Sequence, residues 1–207
     1  MKVVVFGATG GIGALVVEQA LAAGHEVTAV ARRPEAITIR HKCLQVVQGD
    51  VFDPERVRHA VIGKDVVVSA VGARDRGPTT VYSEGNANIM LAMQAAHVRR
   101  IFCISASGLD PAIWWQKIAA NLFLWRFLKH MYTDLVLMEK EVSASDLDWT
   151  ILRPPQLTNG PRTGHYQSVV NQQLTHGSKI SRADVADYIV THLNDRVTYR
   201  GLVEMAY

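Results

Sequence analysis

Positive charge is spread thinly along this chain. Lysine and arginine number 22 against 19 aspartate and glutamate, a formal charge of +3 over 207 residues. No basic run is longer than two residues, which argues against the basic stripe a nucleic-acid partner would need. Cysteine is scarce. Cys43 and Cys103 both fall in apolar runs that read as strands, and no Cys-x-x-Cys or Cys/His spacing accompanies them. No zinc site or other metal site is expected, and two buried thiols suit a reducing compartment. No secretory leader is expected, because Met1–Phe6 runs directly into glycine without a longer apolar region or a cleavage site. A cytoplasmic location is therefore expected. Linkers, repeats and low-complexity segments are absent, which points to one domain over residues 1–207.

What is present is an alternation of short β-branched runs with helical periods. Apolar residues make up 48% of the chain, enough for one full-sized core. Lys2–Phe6 reads as a buried strand closed by Gly7. Gly11–Ala23 places Ile12, Leu15, Val16, Ala20 and Leu21 at helical spacing, with Gly24 as the stop. Further strands are expected at Glu26–Ala31, Leu44–Val47, Asp65–Val71, Ile101–Ser105 and Trp149–Leu152. Helices are expected from Asp53-Pro54 to Val61, from Val81 to Ala96, and along the stretch that ends near Ser145. The last quarter carries a strand near His165–Val169 and a strand near Leu202–Met205. Between them lies a helix, Arg182–Leu193, capped by Ser181 with Asp184 in an imperfect capping box. Strands alternating with helices imply a parallel sheet with right-handed crossovers. The expected class is α/β: a Rossmann-type doubly wound sheet, order 3-2-1-4-5-6, with helices on both faces and residues 157–207 completing the substrate side.

The segment Gly7-Ala8-Thr9-Gly10-Gly11-Ile12-Gly13 sits at the first strand–helix junction. Gly7 permits the turn out of the strand, Gly10 lets a diphosphate approach the backbone, and Gly13 lets the helix pack closely on the sheet. Free N–H groups and the helix dipole favour the phosphates, and Thr9 and its neighbours Gly11 and Ile12 complete the cradle. The second strand ends in Ala31-Arg32-Arg33, with no carboxylate before Glu35. A carboxylate there would hold the ribose of NAD and repel a 2′-phosphate, whereas guanidinium groups pair with that phosphate. NADP(H) is thus expected in preference to NAD(H), with Arg32 and Arg33 on the 2′-phosphate. Asp50-Val51, after the third strand, suits the adenine pocket.

The tyrosine–lysine pair that serves ketone chemistry is absent. Four residues beyond Tyr82, Tyr132, Tyr166, Tyr188 and Tyr199 stand Asn86, Val136, Val170, His192 and Val203.

Several segments nevertheless resemble one family. They are Val5–Gly10, Gly49-Asp50-Val51, Val71-Gly72-Ala73-Arg74, Pro78–Gly85, Ser105-Ala106, Pro154-Pro155 and Thr163–Tyr166. On these the chain resembles the atypical short-chain dehydrogenase/reductases, in the NAD(P)H-binding branch that includes biliverdin reductase B, or flavin reductase. The resemblance implies that Val71, Gly72, Ala73 and Arg74 line the nicotinamide side, with Ser105 beside the reacting ring and Pro155 and Gln156 at the carboxamide. Gln156 replaces a histidine of that branch, and Ser107-Gly108-Leu109 replaces its aromatics. A second, uncharacterised branch is similar over Asp134, Met138-Glu139 and Ser145–Pro154.

The candidate catalytic residues are Ser105, to orient the substrate or relay a proton, Arg74, to stabilise negative charge on the acceptor, and Tyr132 or Tyr166 as an alternative proton donor. The aromatic stretch Ile113–Met131 is too interrupted to span a bilayer and suits core packing, a lid, a dimer face or an interfacial helix. The expected function is an NADPH-dependent reductase acting on a flat conjugated acceptor such as a flavin, a quinone or a bilin, as a monomer or homodimer. A non-catalytic NADP(H) sensor is the alternative.

Overall fold

The computed structural model describes residues 1–73, 75, 77–109 and 122–207, and the side chains of 122–128 are not among those described. Among the described residues eight strands form one sheet in the order β3-β2-β1-β4-β5-β6-β10-β8. They are β1 (Lys2–Phe6), β2 (Glu26–Ala31), β3 (Leu44–Gln48), β4 (Val66–Ser69), β5 (Arg100–Ile104), β6 (Asp148–Arg153), β8 (Gln167–Val170) and β10 (Gly201–Ala206). The expected six-strand order is present and continues through β10, parallel to β6, to β8, antiparallel to β10. A separate parallel pair joins β7 (Gln156–Thr158) to β9 (Lys179–Ser181). Three residues are too few for an alternating pattern to register, so sequence periodicity does not reveal this pair.

Among the described residues the α-helices are α1 (Gly11–Ala22), α2 (Pro54–Val61), α3 (Ser83–Ala95), α4 (Leu122–Ser143) and α5 (Arg182–Thr191). Period-2 alternation sorts the strand side chains between two apolar layers. Val3, Val5, Val66, Val68 and Phe102 pack with residues of α1 and α5. Val4, Phe6, Val67, Ile101 and Cys103 pack with residues of α2, α3 and α4 on the other face. Both layers are sealed, which is why the central strands read as unbroken apolar runs.

Register decides where the site forms. Phe6 pairs with Val30 and with Ser69, so β1, β2 and β4 end level with one another. The loops that follow them leave the same edge of the sheet, where open α/β sheets receive ligands. Three sequence expectations are corrected. β4 stops at Ser69 rather than Val71, because the Ala70 carbonyl turns beneath Gly7, where a Cβ would stand 2.2 Å from its oxygen. Cys43 lies in the turn before β3 and is half-buried, whereas Cys103 is buried in β5. Ser181 does cap α5, accepting from the Asp184 N–H at 2.9 Å, but the capping box does not close. The Ser181 N–H donates to the Tyr207 hydroxyl, and Asp184 turns inward to accept from Thr163, Gly164 and Tyr207. No described helix is long and apolar enough to cross a membrane.

Candidate functional site

A cavity of about 650 Å³ runs along the C-terminal edge of the parallel strands. Its floor is the glycine loop. Gly7 holds φ +76°, and the Gly10 N–H donates to the Gly7 carbonyl at 2.9 Å, which closes the turn. A Cβ at Gly13 would stand 2.2 Å from the Gly7 carbonyl oxygen, so this glycine serves the close packing of α1 on the turn rather than the cavity wall. Thr9, Gly10, Gly11 and Ile12 line the cavity directly. Gly10 is the N-cap of α1 and supplies no side-chain cap, and the first turn has no acidic residue, so the leading N–H groups and positive dipole end of the helix are open to an anion.

At one end of the cavity stand Arg32 and Arg33, both exposed, with Asp50 and Val51 beside them. Among the described residues neither arginine makes an ion pair. One Asp50 carboxylate oxygen accepts from the Phe52 N–H at 3.1 Å, which fixes the turn that presents this residue. Toward the other end the walls are Val71, Gly72 and Ala73 after β4, Ser105 and Ala106 after β5, and Pro154 and Pro155 after β6. Ser105 is 7% exposed, and among the described residues its hydroxyl has no hydrogen-bond partner. A buried, unsatisfied hydroxyl beside a cavity is costly unless something in the cavity bonds it.

Of the remaining sequence candidates, some lie outside the cavity wall and others are not described. Arg74, and residues 110–121 of the aromatic stretch, lie outside the described residues. Gln156 opens β7 with an exposed side chain and is not in the cavity wall, whereas its neighbours Pro155 and Leu157 are. Tyr132 is half-buried against the apolar layer of α3 and α4, and burial raises its pKa. Met131 and Leu135 of the same helix reach the cavity instead. The Tyr166 hydroxyl donates to Asp187 at 3.0 Å and is committed to that bond.

Two polar cavity residues, Tyr82 and Arg182, escaped sequence reading. Tyr82 is buried, and its hydroxyl accepts from the Ala73 N–H at 3.2 Å, pinning the 71–73 loop. The run Pro78–Gly85 marked the region, but nothing in it singled out the phenol. Arg182 comes from the far end of the chain, and only folding brings it to the glycine loop. Among the described residues no His/Cys/Asp/Glu cluster could hold a metal ion.

The donor set suits a dinucleotide: an uncapped helix start over glycines, two unpaired guanidinium groups at one end, and an apolar wall with an unpartnered hydroxyl at the other. Comparison with known proteins agrees. The profile of an NAD(P)H-binding family matches residues 7–196. An uncharacterised chloroplast protein of Arabidopsis thaliana is 34% identical over 214 residues, spanning 99% of this chain and 76% of that one. Among solved structures, an oxidoreductase from Lactococcus lactis superposes with a TM-score of 0.85 at 23% identity, over 100% of this chain and 90% of that one. An anaerobilin reductase from Escherichia coli O157:H7 superposes with a TM-score of 0.79 at 26% identity, over 100% of this chain and 97% of that one.

Proposed function

The chain belongs to the NAD(P)H-binding family, and from that premise we propose that it is an NADPH-dependent reductase of flat conjugated acceptors such as flavins, quinones or bilins. One observation carries the reading. A single cavity begins at two unpaired guanidinium groups and ends at an apolar wall holding the unpartnered Ser105 hydroxyl.

Arg32 and Arg33 would hold the 2′-phosphate, which NAD lacks, and they set the preference for NADP(H). Asp50 and Val51 would flank the adenine. The open N–H groups of Thr9, Gly11 and Ile12 would receive the diphosphate. Val71, Gly72, Ala73 and Pro155 would shelter the nicotinamide from water. When bound, the reduced cofactor supplies a hydride.

The rest of the chemistry falls to the chain. The apolar wall of Ala106, Leu135 and Leu157 positions a flat acceptor, and positioning contributes much of the rate in such reactions. Ser105 is the group best placed to orient the acceptor or relay a proton to it. Arg74 remains the candidate for stabilising negative charge on the acceptor. The likeness to an anaerobilin reductase supports an acceptor of the bilin kind. The two thiols are free, which suits a reducing, cytoplasmic setting.

The test is NADPH oxidation against a panel of flavins, quinones and bilins, with NADH in parallel. Turnover with NADPH and at least one such acceptor is expected. Tight NADPH binding without turnover on any of them would overturn the reductase reading and favour a sensor.

A further inference from the structure

Arg182 opens α5, some 170 residues beyond the glycine loop in sequence, yet its side chain lies directly over that loop. A Cβ at Gly11 would stand 2.7 Å from the Arg182 Cδ and 2.9 Å from its Nε. The absence of a side chain at Gly11 is what admits the arginine.

Three contacts hold it there. Its Nη1 donates to the Asn159 side-chain oxygen at 2.6 Å. The next residue is tied to α1, where the Gln19 side-chain amide donates to the Ala183 carbonyl at 2.9 Å. Ser181 and Asp184 lock the first turn of α5 from the other side.

Among the described residues no carboxylate pairs with this guanidinium. It therefore sits, unneutralised, against the positive end of the α1 dipole. Two positive ends held this close repel each other unless an anion lies between them. Arg182 and Thr9–Ile12 line the same cavity.

We propose that Arg182 is a diphosphate-binding residue, closing over the dinucleotide from the side opposite the α1 N–H groups. The C-terminal segment then supplies a part of the cofactor site that the glycine loop lacks. Cofactor binding and the seating of residues 159–182 become thermodynamically linked. This rests on the dinucleotide reading of the cavity.

The test is calorimetry of wild type, Arg182→Gln and Arg182→Lys with two probes. NADPH carries the diphosphate, and adenosine 2′-monophosphate carries the ribose phosphate without it. Arg182→Gln should weaken NADPH on the order of tenfold, as loss of a charge-assisted bond does, and leave adenosine 2′-monophosphate within about twofold of wild type. Arg182→Lys should fall between, because it keeps the charge without the planar fork. NADPH should also slow amide hydrogen exchange across 159–182 in wild type and not in Arg182→Gln. NADPH affinity within about twofold of wild type in Arg182→Gln, or an equal loss for both probes, overturns the proposal. Should Arg182→Gln fail to fold, the same comparison is read on Arg182→Lys. Wild type that binds neither probe would instead sink the dinucleotide reading.

Discussion

Asp134 caps a helix to which it does not belong. From α4, its carboxylate accepts from the backbone N–H of Tyr82 at 2.9 Å and of Ser83 at 3.2 Å, where α3 begins. The Ser83 hydroxyl donates to it as well. α3 has no cap from its own side chains, so a buried acid on a neighbouring helix satisfies its orphan donors. The same contact sets the start of the segment that carries Tyr82 into the cavity wall. Asp134→Ala should therefore cost about 2 kcal/mol, read as a lowered urea midpoint, with Asp134→Asn losing less.

Ser105→Ala separates function from stability. The hydroxyl is buried without a partner, so its removal should leave the urea midpoint unchanged or raise it. Turnover with a competent acceptor should fall on the order of 100-fold if the hydroxyl relays the proton. A stability loss with unchanged kcat would remove Ser105 from the chemistry.

If the proposed function holds, Arg32 and Arg33 set the coenzyme preference. The double change to glutamine should weaken NADPH roughly 30-fold and leave NADH unchanged, because only the 2′-phosphate distinguishes the two. Equal weakening of both coenzymes in calorimetry would place the arginines outside that contact.

Asp184 should govern the acid limb of stability. Burial by itself would raise its pKa, but hydrogen bonds from Tyr207, Gly164 and Thr163 outweigh burial and hold the carboxyl below its ordinary value of 3.8. A carboxyl depressed on folding contributes stability that is fully present above the unfolded value and is lost as pH falls through the folded one. Urea midpoints measured from pH 6 downward should thus stay level to about pH 4 and then decline. Asp184→Asn should lower the neutral plateau and flatten that decline.

Arg100 is buried in a cage of neutral acceptors. It donates to the Leu193 and His192 carbonyls at the end of α5, to the Asp148 carbonyl, and to the Thr150 and Thr198 hydroxyls. Its guanidinium also lies 3.9 Å from the Phe102 ring centroid. Burial pushes its pKa down to about 10, so it remains a cation at neutral pH. Arg100→Met should cost roughly 2–4 kcal/mol by orphaning those acceptors, seen as a lowered melting temperature with the cofactor cavity intact.

Much of this protein is local and therefore legible in the sequence. Val3–Phe6, Val66–Val68 and Ile101–Ile104 are continuous apolar runs because both faces of the sheet are covered, and their order with the intervening helices specifies the doubly wound core. Gly13 declares the loop because a Cβ there would overlap the Gly7 carbonyl, a constraint that neighbours in sequence impose, whereas the backbone that crowds Gly7 is that of Ala70, brought there by the fold. Arg32 and Arg33 follow directly from the end of β2.

What only the tertiary structure decided depends on residues distant in the chain meeting at one place. Nothing near Arg182 marks it as facing Gly11, and nothing near Asp134 marks it as the cap of α3. Tyr82 reaches Ala73 through a turn whose path is set by that distant cap. β7 and β9 pair although each is too short to announce itself, and their pairing helps seat Asn159 and Arg182. Local patterns carry periodicity and backbone sterics. The closing of the cavity rests on long-range packing, which no window of the sequence contains.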